Sequence, residues 1–448
     1  MAQRFVSADR DQEWLLPPSM RDWLPEGHLA WFVIELVDEL DLCEFAAVYR
    51  QDGQGRPPFD PAVMVALLVH SYCVGVRSSR QIERRCMEDV ASRVVAGGLQ
   101  PDHVTIARFR SRHQDALAGL FSQVLGVCAK AGLVQAGTVA IDGTKVLANA
   151  SLSRSMTVEG LRAEAERILG EAERVDAAED AALGEHRGDE LPDELANPRT
   201  RAGRIRKLLD EVEAEQQAVK DSRAERIARY DEAVARGRRP EGRVVSRNHD
   251  ERELRVLRKK VNVTDPDSRI VRSPRGLIQG YNAQATVGEG QIVIAARIAP
   301  GAADQTQLGP MIQAAREELA AAGIQQTVQR VLADSGYWNT PQMTAAQQAG
   351  IETIVPPTSQ RGEKPARKRK PPRGEHADRI NGLLATPEGQ RIYKARQYTV
   401  EPVFAYVKHL RRIDRFSRRG RAAVEAEWQL ITATHNVLKL HRAATVAT

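Results

Sequence analysis

Apolar positions over the first 130 residues recur at helical spacing. Asp60 followed by Pro61 forms an N-cap and first-turn pair ahead of PAVMVALLVHSYCVGV, a run apolar enough to predict a buried helix. Ser78 and Ser79 offer a second cap for SRQIERRCMEDVASRVVAG, which Gly97 and Gly98 stop. Asp102 caps a third stretch, HVTIARFRSRHQDALAGLFSQVLGVCAKAG, with Val104, Phe109, Leu117, Leu120, Phe121 and Val124 close to helical spacing. The pattern then changes. TVAIDGTKVLANAS predicts a strand, with Val139 and Ile141 apolar and Asp142 where the strand ends in a Gly-Thr turn.

From about 156 to 240 the chain is charged and alanine-rich. Ile205, Leu208, Val212 and Val219 recur at helical steps, which predicts a long amphipathic helix, or two in a hairpin bent near Gly184 to Pro192. Strand patterns resume near 269 with RIVRS and GYNAQATVGEGQIVIAARIAP. A helix follows in QTQLGPMIQAAREELAAAG, a strand in TVQRVLADSGYWN, a short helix in PQMTAAQQAG and a strand in IETIVPP. Helical segments from 375 complete the chain. The order predicts an α/β domain of 131–155 and 265–448, an all-helical domain of 1–130, and a charged helical insertion of 156–264.

Composition sharpens this picture at three points. Aromatic residues are only 5%, so the core must be mainly aliphatic. The net charge of +6 is mild, but it is concentrated: seven Lys or Arg face one acid from Arg361 to Arg373, and again from Lys408 to Arg421. Such runs favour an acidic partner, nucleic acid above all. The four cysteines form no C-x-x-C pair and are expected as buried free thiols. No apolar leader opens the chain, and Pro61 to Val76 is too short to span a bilayer. A cytoplasmic, nucleoid-associated protein is expected.

Asp142 in VAIDGT and Asp334 in VLADSG each follow a short apolar run. At the carboxyl edge of an α/β sheet such side chains converge where ligands bind. Two carboxylates there repel unless a cation lies between them, and Mg²⁺ favours carboxylate oxygen. For either Asp alone, capping a turn is the simpler role. A third acid, Glu401, lies seven residues before Lys408, hence on one helix face, with Arg396 five residues upstream. A solvated charged face is the alternative there. Asp265 and Asp267 in TDPDSR suit a turn better than a metal.

The N-terminal helices suggest a helix-turn-helix whose second helix, from His103, presents Thr105, Arg108, Arg110 and Arg112 to base edges. A purely structural basic helix is the alternative. Arg361–Arg373 and Lys408–Arg421, including Arg411 and Arg412, would grip phosphates.

Taken together, FDPAVMVALLVHSYCVGVRSSRQIERRCMEDVASRVVAGGLQPDHVTIARFR, AIDGTKVLANAS, TDPDSR, GYNAQ, ADSGYWN and the stretch holding Tyr393, Arg396, Glu401 and Lys408 resemble the bacterial insertion-sequence DDE transposases with an InsH-like N-terminal domain. The resemblance implies a ribonuclease-H-like catalytic fold. It implies two Mg²⁺ or Mn²⁺ ions on Asp142, Asp334 and Glu401, with Asp142 bridging, and cleavage and strand transfer at terminal inverted repeats by a homodimer that also binds target DNA. Lys408 and Arg396 would hold phosphates, and Tyr393 would stack near the cleaved end or pack in the core. Four residues separate Arg396 from Glu401, one more than the family pattern, which bears on the role of Arg396. A catalytically silent DNA-binding derivative and a ribonuclease-H-like nuclease are the competing expectations.

Overall fold

The computed structural model describes residues 19–49, 57–167, 201–236, 251–257, 259–274, 276–357 and 374–447. The basic loop Arg361–Arg373 and the bend expected at Gly184–Pro192 lie outside these residues. Seven helices come first: α1 (Leu29–Asp38), α2 (Cys43–Ala47), α3 (Pro61–Cys73), α4 (Ser79–Glu88), α5 (Val90–Val95), α6 (His103–Arg112) and α7 (Gln114–Lys130). The Asp60 and Asp102 carboxylates accept the amides of Ala62 and Thr105, as their positions before each helix predict. Every residue of α3 from Met64 to Cys73 is buried, so this helix is the hub of the N-terminal part.

Two expected helices are each broken in two. Asp89 takes extended backbone angles and caps Ser92, which separates α4 from α5. His113 leaves helical geometry between α6 and α7, with its ring against Phe109 and Phe45. In both cases tertiary packing outweighs the continuity of a helical pattern. Of the thiols, Cys73, Cys86 and Cys128 are buried, but Cys43 is exposed.

The sheet is built from β1 (Gln135–Leu147), then, beyond the two-residue strands β2 (Ser155–Met156) and β3 (Val261–Asn262), from β4 (Arg269–Ser273), β5 (Gly276–Glu289), β6 (Val293–Ile298), β7 (Arg330–Leu332) and β8 (Glu352–Ile354). Its order is β4-β5-β1-β7-β8, with β6 also on β5. β1, β5 and β6 run antiparallel, whereas β1, β7 and β8 run parallel. β2 and β3 pair with each other and close the neck of the insertion, whose described helical residues are 158–167, α8 (Arg201–Ala235) and α9 (Glu251–Leu257). Ile205, Leu208 and Val212 are buried as their spacing predicts, but in two small clusters with Leu161, Val263, Val158 and Val261, apart from the main core.

The remaining helices are α10 (Leu308–Ala321), α11 (Thr340–Gln348), α12 (Glu375–Ala385), α13 (Pro387–Thr399), α14 (Glu401–Ala405), a π-helical turn over Tyr406–Leu410, and α15 (Arg421–Ala447). α15 joins the two halves of the chain, packing on α3, on α7 and on β6. One hydrophobic cluster runs from Ala30 to Leu440 through the N-terminal helices, the sheet and α15, so the core is continuous across residue 130. Among the described residues, no helix is long and apolar enough to cross a membrane.

Asn436 of α15 ties the helix to the edge of β6. Its carboxamide oxygen accepts the Val293 amide at 2.9 Å and its nitrogen donates to the Val293 carbonyl at 2.8 Å, replacing the missing neighbour strand. Asn436→Ala strands both backbone groups in a buried place. We expect it to cost about 2 kcal/mol, measured as a shift in urea midpoint; an unchanged midpoint would show that the pair contributes nothing.

Candidate active site

β1 is thirteen residues long, yet β7 pairs with it only at Thr138, Val139 and Ala140. The two parallel strands diverge beyond that point, and both aspartates stand in the divergence. Asp142 does not end its strand, as the Gly-Thr pair had suggested. It sits in the middle of β1, opposite Ala285 of β5, because β5 continues to pair with β1 as far as Leu147. Asp334 follows the end of β7 and accepts the Gly336 amide at 2.8 Å, capping a short 3₁₀ turn.

Arg396 of α13 gathers the acids. Its guanidinium donates to Asp142 Oδ2 at 3.0 Å and to Glu401 Oε1 at 3.5 Å, with its side chain only 8% exposed. In an unbroken α-helix, side chains five residues apart point about 140° away from each other. α13 stops at Thr399, and α14 restarts at Glu401-Pro402, so Arg396 and Glu401 face each other across the junction. The extra residue in that interval is absorbed there.

Electrostatics at Asp142 follow from this crowding. Burial pushes its carboxyl up to about 6; Asp334 and Asp304 add to the rise, while Arg396 and the Gly143 amide oppose it. Burial works against the charge of Arg396, but Asp142, Tyr393, Asp334 and Glu401 hold its guanidinium above the ordinary value. The Arg396 Nε has no hydrogen-bond partner among the described residues. Tyr393 is half-buried on the same helix, with its hydroxyl raised chiefly by burial.

Lys408 Nζ donates to the Lys145 carbonyl at 2.8 Å, three residues along β1 from Asp142. Glu401 and Lys408 were expected on one face of one α-helix. The helix is α only to Ala405 and π from Tyr406; Lys408 reaches β1, whereas Glu401 meets Arg396.

A polar network on the neighbouring strand escaped the pattern analysis. Asp304 accepts from Asn282 at 2.7 Å, from Gln284 at 2.9 Å and from Lys145 at 3.2 Å, and Tyr337 bonds to Gln284. The available signal was the run of polar residues at 282, 284 and 286, spaced two apart within the fully buried part of β5. Asp304 itself lies in a plain polar loop. Gly143 is needed beneath this network, since a Cβ there would lie 2.9 Å from both Asn282 Oδ1 and Asp304 Oδ1. The rival acids are structural: Asp265 accepts the Tyr281 hydroxyl at 2.6 Å and the Gly420 amide at 3.1 Å, and Asp267 accepts the Arg421 amide at 2.8 Å.

The expected nucleic-acid contacts divide into two groups. Thr105, half-buried, and Arg108 and Arg112, both exposed, line a pocket on α6, with Arg112 stacked 5.5 Å from the Tyr49 ring. Arg110 turns inward instead, donating to the Arg77 carbonyl at 2.7 Å and to Ser79 Oγ at 2.5 Å. Arg412 is exposed, with a backbone φ of 53°. Arg411 is buried and committed to the carbonyls of Tyr72 and Ile431 and to Thr434 Oγ1. Arg110 and Arg411 are thus committed to polar groups of neighbouring elements, Arg411 while fully buried.

The three carboxylates are hard oxygen donors of the kind a divalent cation prefers. As the side chains stand, with Arg396 between them, no group of three acidic, His or Cys residues is close enough to hold an ion among the described residues.

Residues 18–112 match a family described as Transposase domain (DUF772), and residues 246–437 match one described as Transposase DDE domain. Together the two cover well over half of the chain. No curated protein and no solved structure matches it.

Two expectations test this geometry. Asp142 binds its proton more tightly in the native state than in the unfolded chain, where a carboxyl titrates near 3.9. Its contribution to stability therefore declines as pH rises from about 4 to about 6, by as much as about 3 kcal/mol. Asp142→Asn abolishes that slope, so in metal-free buffer its melting curve gains on the parent across this window; parallel curves would refute the assignment. Arg411→Ala lowers the melting temperature, at a cost of about 3 kcal/mol for orphaned carbonyls. Arg412→Ala leaves the melting temperature unchanged. The reverse order in a thermal scan would restore Arg411 as a surface contact.

Proposed function

Because the chain belongs to the DDE transposases of insertion sequences, we propose that it cuts and joins DNA at the convergence of Asp142, Asp334 and Glu401. One observation carries this reading: a single arginine, Arg396, binds Asp142 of β1 and Glu401 of α14, and Asp334 is near enough to raise the Asp142 carboxyl. Acids from three separated stretches of the chain would thus act together around Arg396. The strand order, three antiparallel strands continued by two parallel ones, together with the family, supports a ribonuclease-H-like catalytic fold.

Asp142, Asp334 and Glu401 would hold Mg²⁺ or Mn²⁺, two ions with Asp142 shared, and bound metal supplies Lewis-acid activation of the phosphate and of the attacking water or 3′-hydroxyl. The chain's own residues do the rest. Arg396 exchanges its carboxylate partners for a DNA phosphate, a directional contact suited to its planar fork. Lys408 stands beside β1 as a point charge for a neighbouring phosphate, and Tyr393 backs Arg396. The α6 residues Thr105, Arg108 and Arg112, with Arg412, contact the terminal inverted repeats, and a homodimer pairs the two element ends before they join target DNA.

With linear DNA carrying the inverted repeats that flank the gene, Mg²⁺ or Mn²⁺ should yield 3′-hydroxyl ends and joined products, and chelation should abolish both. Asp142→Ala should lower the cleavage rate by about a thousandfold or more while DNA binding persists. Equal cutting by the variant would overturn the three-acid assignment. Binding without cutting under any divalent metal would mark a silent derivative, and cutting without joining a nuclease.

A further inference from the structure

A second feature of β1 lies beyond Asp142. Past the end of β7, the free edge of the strand is covered by the segment after the π turn: the Leu147 amide donates to the Asp414 carbonyl at 3.0 Å, and the Phe416 amide donates to the Leu147 carbonyl at 2.8 Å. Arg415 donates to the Ala148 carbonyl and Arg419 to the Asn149 carbonyl, each at 2.9 Å. These contacts floor an open groove of about 580 Å³, whose walls include Asn149, Leu152, Arg154, Leu277, Arg415 and Arg419. The lining holds three arginines and no acid. Asp265 and Asp267, at the foot of the same loop, are taken up by the amides of Gly420 and Arg421.

Resting on the transposase reading, we infer that this groove carries the cleaved DNA strand itself, a few nucleotides beyond the phosphate held at Asp142. Three observations support a single strand. Arg415 and Arg419 each spend one N–H on the carbonyls of Ala148 and Asn149, just past the end of β1, and are exposed, so each fork is oriented in advance with donors left for phosphate. Leu277 is 63% and Leu152 41% exposed at the rim, an apolar surface that suits an unpaired base and not a duplex backbone. The same strand, β1, bears Asp142 and the groove floor, so the two are fixed in register. From Asp142 to Leu147 is about 17 Å at strand rise, a span of a few nucleotides of unpaired strand.

The test uses the full-length protein and fluorescent duplex DNA, either blunt or with a single-stranded thymidine tail. Anisotropy titrations over a series of salt concentrations should show the tail raising affinity about tenfold. Arg154→Ala/Arg419→Ala should lose that gain and still bind the blunt duplex. Its salt slope for tailed DNA should flatten by about 1.4, at about 0.7 per lost single-strand phosphate contact. A fluorophore on Leu277→Cys, an exposed position, should respond to tailed DNA and not to blunt DNA. The inference is overturned if the parent does not distinguish the tail, if the double variant loses blunt and tailed binding alike, or if the label responds to the duplex. Metal-dependent cutting that requires Asp142 would survive that failure, so the two readings fall separately.

Discussion

Much of this molecule follows from one mismatch of length: β1 outruns its parallel partner. β7 pairs with three residues of a thirteen-residue strand. Backbone amides and carbonyls along the remaining edge of β1 must find other partners, since a buried unpaired group is costly. The chain supplies them from its late basic segment, through Lys408 and the backbone at 414–416, while Arg415 and Arg419 take the carbonyls of the two residues that follow the strand. Where neither β7 nor this segment reaches, the sheet opens, and the acids stand in the opening. The basic run is thus bound to β1 by backbone chemistry before any external partner is considered.

Collecting three carboxylates in a partly desolvated gap opposes folding unless a cation neutralises them. Arg396 does so from within the chain. Its hold is incomplete: Glu401 lies at the long end of hydrogen-bond distance, Nε has no partner among the described residues, and Asp142 remains a poor acid despite the ion pair. An internal cation that leaves this much unsatisfied is in keeping with the proposed entry of a metal ion, which would displace Arg396 toward an anion.

The sequence made the strand-end aspartates visible because an acid directly after a β-branched run has few local explanations. It misplaced the end of β1, since a Gly-Thr pair is a turn signal only when no long neighbour strand continues, and the length of β5 is not a local property. Arg396 and Glu401 looked wrongly spaced because helical periodicity assumes an unbroken helix, and Pro402 restarts it. Arg110 and Arg411 could not be told from Arg108 and Arg412 by charge. What separates them is whether a buried carbonyl from a distant element lies within reach, and that depends on how α3, α6 and α15 pack. The same limit applied to Asn282, Gln284 and Asp304, whose meaning arises only across strands.

The continuous core from Ala30 to Leu440 has a consequence for how the DNA would be measured. A reading head joined to a cutting head by a slack tether could cut at varied distances from the bases it recognises. Here α6 and β1 are embedded in one packed interior, braced by α7 and α15. With α6 as the reading element, the offset between recognised bases and cut phosphate would be a property of side-chain packing, a built-in caliper. Grafting the first 130 residues onto a relative would then recalibrate where the blade falls, even if every contact to the bases were preserved.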